Sequence, residues 1–389
     1  IVNSLKNLAP KNKRAWGFAG FFMLTAILIA SFYMIVIGWI LKYIFLSFGT
    51  LPSTAQEAGA MFGGLVEGNF LSVFICFSIV FLTVFYVVSK GIKSGIERLN
   101  ILMMPSLFVL LIGLLLYAIF ASGNFTQALS FIFIPDFSKL LNAELILQAL
   151  GLAFFSMSMG VGTVATYAAS LPDGTNLVKS TFSIVFINIL IGIMMGLVVF
   201  SFIPIIDGQP ASEGAGLIFV SLTSLFAQMG IMGNILAIAF FISLLFAGIT
   251  SAVSMIEPFA LYLIHKFQLS RNSAIMIIGV FVYILGTLCI LSYYGVTSSY
   301  FSIPAAALGN EKPIAFFDVL DLLTSNILMP LGALTFSIFV FYILKKEGLF
   351  TLFSGFMSRL WFEIWYFTLR YVAPLAILSI GAYQIISKI

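Results

Sequence analysis

The sequence predicts an all-α polytopic membrane protein with nine transmembrane helices, and three observations carry that prediction. Of its 389 residues, 61% are hydrophobic and 8% charged, and the mean hydropathy of +1.16 lies far above the soluble globular range. Apolar runs of about twenty residues, enough to cross roughly 30 Å of hydrocarbon, recur along the whole chain. Lysine and arginine gather in every second connection between those runs.

The runs cover 16–48, 70–89, 102–121, 143–170, 181–206, 232–267, 273–294, 317–344 and 357–386. An odd number of spans puts the two termini on opposite sides. Lys6, Lys11, Lys13 and Arg14 precede the first span, and Lys90, Lys93 and Arg98 follow the second. Lys179 follows the fourth, His265, Lys266 and Arg271 the sixth, and Lys345, Lys346 and Arg359 the eighth. Positive loops stay in the cytoplasm, so the N-terminus is expected inside and the C-terminus outside a plasma (inner) membrane. The intervening loops, with Glu57 and Glu67, Asp136 and Lys139, Asp207 and Glu213, and Glu311 and Lys312, are acidic or neutral and expected outside. Within one of them "AGLIFVSLTSLFAQMG" has a helical apolar period but is too short to span, so a lateral helix is expected there. The chain opens on Ile1 without an initiator methionine or a signal-peptide core, which reads as a late start.

Composition removes several chemistries. Cys76 and Cys289 both sit in apolar runs and read as small buried hydrophobes. With a single histidine, His265, and no Ser–Lys, Ser–His or metal-ligand arrangement, the chain is not expected to be an enzyme. No nucleic-acid partner is expected.

Non-helical backbone survives at membrane depth only where protein or water satisfies it, so weak helices point to binding sites. "AFFSMSMGVGTVATYAASLP" places Ser156, Ser158, Gly160 and Gly162 in the middle of the fourth run, which suits either a broken helix or a tight helix crossing. In the sixth run Thr250 and Ser251 follow Ala247 by three and four residues, so two hydroxyls and a carbonyl share one face. They could converge on a cation or simply bond their own i−4 carbonyls. Asn188 suits a cation ligand or an interhelical hydrogen bond. Asp318 and Asp321 suit a helix start. Glu257, beside the kinking Pro258, is expected to face an aqueous inner pathway.

Taken in order, these pieces resemble the neurotransmitter:sodium symporter family, sodium-coupled amino-acid and amine transporters of leucine-transporter fold. "SFYMIVIGW", with Tyr33 six residues before Trp39, resembles the family's third helix, and "SKGIKSGIERLNILMMPSLF" its fourth-to-fifth connection. "PDFSKL" before "AFFSMSMGVG" resembles the entry to the sixth. "FAGITSAVSMIEP" is similar to the eighth, "FFDVLDLLTSNILMPLG" to the tenth and "YFTLRYVAPLAIL" to the eleventh.

The resemblance implies an inverted-repeat fold truncated at its N-terminus, with nothing matching the family's first two helices. Residues 16–121 would be the last three helices of the first repeat, 143–344 the complete second repeat and 357–386 an additional helix. It also implies a substrate pocket of Ile29, Tyr33, Phe155, Ser156, Ser158, Val161, Ser251 and Met255. One sodium would be held by Ser156 and Asn188, and a second by the Ala247 carbonyl, Thr250 and Ser251. Asp321 would be the acidic half of an external gate, without an arginine in an external half-span to meet it. Leu152 and Gly192, where relatives often carry a glutamine and an acid or hydroxyl, put chloride coupling in doubt. Val161 replaces a common aromatic and enlarges the pocket. The function implied is sodium-coupled symport of an amino acid or related small amine by alternating access, in a lipid bilayer, with a homo-oligomer as one option. The alternative is a transport-incompetent fragment or degraded family member that keeps the fold.

Overall fold

Polar side chains cap several of the helix starts. Thr54, Asn69, Asn142, Asn176 and Ser270 each accept a hydrogen bond from a backbone N–H two or three residues on, satisfying donors that the first helical turn leaves free. In the computed structural model, residues 1–137, 142–172, 174–203, 205–206, 209–210, 214–300, 302–303 and 314–386 are described. Lys139, Asp207, Glu213, Glu311 and Lys312, which figured in the charge pattern, lie outside these residues.

In chain order the helices are α1 (Val2–Leu8), α2 (Lys13–Leu46), α3 (Ala55–Gly68), α4 (Phe70–Ser89), α5 (Ile92–Ala121), α6 (Phe125–Phe133), α7 (Ala143–Ser156) and α8 (Thr163–Ala168). There follow α9 (Leu177–Phe202), α10 (Gly214–Gln228), α11 (Gly230–Phe267), α12 (Arg271–Tyr293), α13 (Phe316–Ile343), α14 (Lys346–Phe353) and α15 (Arg359–Gly381). Among the described residues 8 helices are long and apolar enough to cross a membrane, namely α2, α4, α5, α9, α11, α12, α13 and α15. The remaining expected span, 143–170, is the pair of short helices α7 and α8 with an unwound stretch between them. Two antiparallel ladders of two residues per strand, 205–206 with 209–210 and 302–303 with 314–315, lie in the connections.

The bundle is centred on α2 and α11, which pack along each other with α4, α5 and α12 around them. Lipid tails are as apolar as leucine, so packing contacts hold these helices together more than transfer from water does. Aromatic rings supply much of that contact. Tyr43, Phe77, Phe226, Phe240 and Phe241 are fully buried, and Trp39 meets Phe62 edge-on with ring centres 5.6 Å apart. A helix is present where "AGLIFVSLTSLFAQMG" predicts one: α10, shorter than a span, buries Phe219, Leu222 and Phe226 and stacks Phe219 on Phe62 of α3. α3 itself, 14 residues long, occupies what the sequence presented only as a long loop.

Several spans carry π-helical turns, including Phe339–Ile343 in α13 and Thr368–Val372 in α15. These two are each met by a hydroxyl from the other helix. Tyr366 Oη donates to the Phe341 carbonyl at 2.9 Å, and Ser337 Oγ donates to the Leu369 carbonyl at 3.0 Å. Nearby, Arg359 pairs with Glu347 at 2.9 Å and with Glu363 at 3.2 Å, and Lys346 pairs with Glu363, joining α14 to the start of α15.

Candidate functional site

The break between α7 and α8 follows from two glycines and a strained serine. Gly160 and Gly162 have φ of +87° and +78°, where a side chain is disfavoured, and Ser158 is held at +51°. Gly160 is also required sterically, because a Cβ there would stand 2.2 Å from the Met329 carbonyl oxygen of α13. The contact is reciprocal: a Cβ on Gly332 would stand 2.3 Å from the Gly160 oxygen. The unwound segment is thus docked backbone to backbone on α13.

Around this break lies a cavity of about 680 Å³. It is lined by Ile29 and Tyr33 from α2, by Phe155 and Ser156 at the end of α7, by Ser158 and Val161 from the break, by Asn188 from α9, and by Thr250, Ser251 and Met255 from α11. These segments, far apart in sequence, meet because α2 and α11 pack lengthwise and the break lies across them. Ala247 does not line the cavity; its carbonyl accepts the Thr250 hydroxyl at 3.0 Å, one turn away. Asp321 also lies outside it and accepts a hydrogen bond from Ser325 Oγ at 2.9 Å. Asp321 has no ion-pair partner among the described residues.

Within the cavity the polar groups are neutral oxygens and amides. Asn188 Nδ2 donates to Ser156 Oγ at 3.4 Å, which leaves the Asn188 carbonyl oxygen available. Ser156 Oγ in turn donates to the Ala153 carbonyl at 3.1 Å. Thr250 Oγ1 donates to the carbonyls of Phe246 and Ala247, both at 3.0 Å, so the local back-bonding alternative and the shared face hold together for this residue. The Tyr33 phenol stands beside Ser251. Among the described residues no Asp, Glu, Lys, Arg or His lines the cavity. Its walls therefore suit a solute whose charges are met by hydroxyls, amides and backbone, and monovalent cations held by neutral oxygens.

Glu257 departs from expectation. It faces no aqueous pathway but is fully buried, with Arg271 Nη1 at 3.1 Å from Oε1 and Nη2 at 2.6 Å from Oε2. Arg271 also donates to the Val88 carbonyl from Nε and Nη2, so the pair ties α11, α12 and the end of α4. A buried carboxylate is tolerable when a bidentate guanidinium meets it. That arginine stands 14 residues on, across the connection to the next helix, where spacing gives no sign of a partner. Asp318 lies in the first turn after Ala315, where its charge suits the helix dipole, but it caps no backbone N–H there and instead accepts the Tyr293 hydroxyl at 2.7 Å.

Some cavity residues escaped the sequence reading. Asn100, Met104, Tyr167 and Met329 all line it. A carboxamide just before an apolar stretch with Pro105 was a usable signal for Asn100; Met329 offered none, since a methionine beside a proline in a span is ordinary core.

The sequence model of the Sodium:neurotransmitter symporter family matches residues 64–388. The chain is 34% identical over 384 residues to YhdH of Bacillus subtilis (strain 168), described as an uncharacterized sodium-dependent transporter, covering 97% of this chain and 81% of that protein. A sodium-dependent transporter of Haemophilus influenzae is 31% identical over 378 residues, 94% of this chain and 78% of that one. Among solved structures, MhsT in complex with L-phenylalanine superposes with a TM-score of 0.82 at 30% identity, over 98% of this chain and 84% of MhsT.

Proposed function

As the chain belongs to the sodium:neurotransmitter symporter family, whose relatives are sodium-dependent transporters, we propose that its sodium-coupled symport carries an amino acid or related small amine by alternating access. The observation that carries the reading is the cavity where the unwound 157–162 segment meets Tyr33, Asn188, Thr250 and Ser251. The N–H groups of Met157, Ser158 and Met159 bond back into α7, and the remaining backbone of an unwound stretch can meet the charged ends of a zwitterion, as the half-helices of a broken span do in transporters. Ser156 and the Asn188 oxygen are the ligands proposed for one sodium, and the Ala247 carbonyl, Thr250 and Ser251 for a second. Tyr33 would bind the solute's carboxylate, and Ile29, Phe155, Val161 and Met255 its side chain. L-Phenylalanine in the related MhsT structure supports an amino acid, and the uncharged walls support a solute with a neutral side chain.

Coupling follows from sharing. Ser156 faces both the solute space and Asn188, so an ion there stiffens the wall the solute needs. With Leu152 and Gly192 in place, transport is proposed to be independent of chloride. The basic loops are proposed to face the cytoplasm, with Asp321 on the external side.

Uptake of radiolabelled amino acids into proteoliposomes, driven by an inward sodium gradient, tests this reading. Accumulation should vanish when choline replaces sodium and persist when gluconate replaces chloride. Equal uptake in choline would overturn sodium coupling.

A further inference from the structure

Part of the cavity wall holds oxygen atoms that no described residue meets. Asn100 Oδ1, Thr163 Oγ1 and the Tyr167 hydroxyl are shielded from solvent without a hydrogen-bond partner among the described residues, and all three residues line the cavity. Thr163 keeps only 9% of its surface. Leaving such an atom unsatisfied costs roughly 1–3 kcal/mol, so a cluster of them marks a place for water or an ion.

Two of these residues share one helix, and Asn100 lines the same cavity from α5. Thr163 and Tyr167 are one turn apart on α8, and a helical tyrosine leans back over the turn before it, towards Thr163. The Tyr167 hydroxyl lies beside Ser254 of α11, beyond good hydrogen-bond geometry. Ser254 adds two acceptors. Its hydroxyl donates to the Thr250 carbonyl at 3.0 Å and keeps its lone pairs, while Pro258 has no N–H to offer the Ser254 carbonyl. Ser254 stands one turn beyond Thr250 and Ser251, in the direction of the basic end of α11.

We propose that Asn100, Thr163, Tyr167 and Ser254 form a third, transient sodium station on the route from the Thr250–Ser251 site to the basic face. The inference rests on the sodium-symport reading above. The donor set selects the ligand: a carboxamide oxygen that can only accept, hydroxyls and a peptide carbonyl suit a hard monovalent cation. Among its described lining residues the cavity has no carboxylate to hold a divalent ion and no cationic side chain to hold an anion. Neutral oxygens bind weakly, which is what a stepping site on an exit path needs.

Equilibrium binding of radioactive sodium to the purified full chain tests the station without requiring a known solute. The unmodified chain should give a tight component and a weak one. Thr163→Val should abolish the weak component, and Asn100→Asp should tighten it about tenfold as a charged oxygen replaces a neutral one. Thr250→Ala should remove the share of tight binding that belongs to the Thr250–Ser251 site and leave the weak component in place. Both near-isosteric variants superposing on the unmodified isotherm, or both components moving together, would overturn the station while leaving symport intact. Absence of any sodium binding by the unmodified chain would instead overturn the symport reading and the station with it.

Discussion

Glu257 and Arg271 form a bidentate ion pair inside the bundle, with the carboxylate fully buried and the guanidinium also holding the Val88 carbonyl. Removing one partner leaves the other charged in a medium that cannot solvate it. Arg271→Met is expected to destabilise the protein by about 3–5 kcal/mol, read as a lower unfolding midpoint in detergent. The double variant Glu257→Gln/Arg271→Met should recover much of that loss. Additive losses would mean that the two residues act independently.

Gly160 makes a different kind of prediction. Gly160→Ala places a Cβ against the Met329 carbonyl and imposes a positive φ on alanine, so folded yield or sodium-dependent uptake should fall steeply. Gly192, in the middle of α9, has open space where a Cβ would stand, with no neighbouring atom within 4 Å among the described residues. Gly192→Ala should therefore be neutral or stabilise by roughly 0.5–1 kcal/mol, and equal thermal melts for the two alanine variants would contradict the contact.

Asn188→Ala should raise the external sodium concentration for half-maximal uptake by about fivefold, the loss of one neutral ligand. Ser156 Oγ keeps its bond to the Ala153 carbonyl, so the fold should persist. An unchanged sodium curve would remove Asn188 from the ion site.

Glu347 lies between the eighth and ninth expected spans, and Arg359 holds its carboxyl below the ordinary value, first by hydrogen bonding and then by charge. A carboxyl depressed in the folded state contributes stability above its unfolded pKa and loses it as pH falls through the folded one. Unfolding midpoints of the unmodified chain and Glu347→Gln should thus differ at neutral pH and converge well below about pH 4. High salt should shrink the difference at neutral pH, because the pair is exposed.

Much of this architecture was legible in the sequence, where a physical constraint leaves a compositional trace. Ser156, Ser158, Gly160 and Gly162 pointed to either a break or a close helix crossing, because small residues with poor helix propensity gather mid-span, and the structure holds an unwound stretch docked on α13 there. Glu257 was misjudged because its partner lies across a helical turn-around, and polarity alone cannot tell a charge that meets water from one that meets arginine. Met329 was invisible: its role comes from α13 approaching the break so closely that backbone touches backbone, which only tertiary packing decides.

The crossed hydroxyls of Ser337 and Tyr366 constrain how this chain can be recombined with its relatives. Because the irregular turn in α13 is satisfied by α15, and that in α15 by α13, a chimera that imports one helix with regular geometry strands a hydroxyl and a carbonyl in the other. The two segments form one unit of exchange, and a graft should carry both or neither.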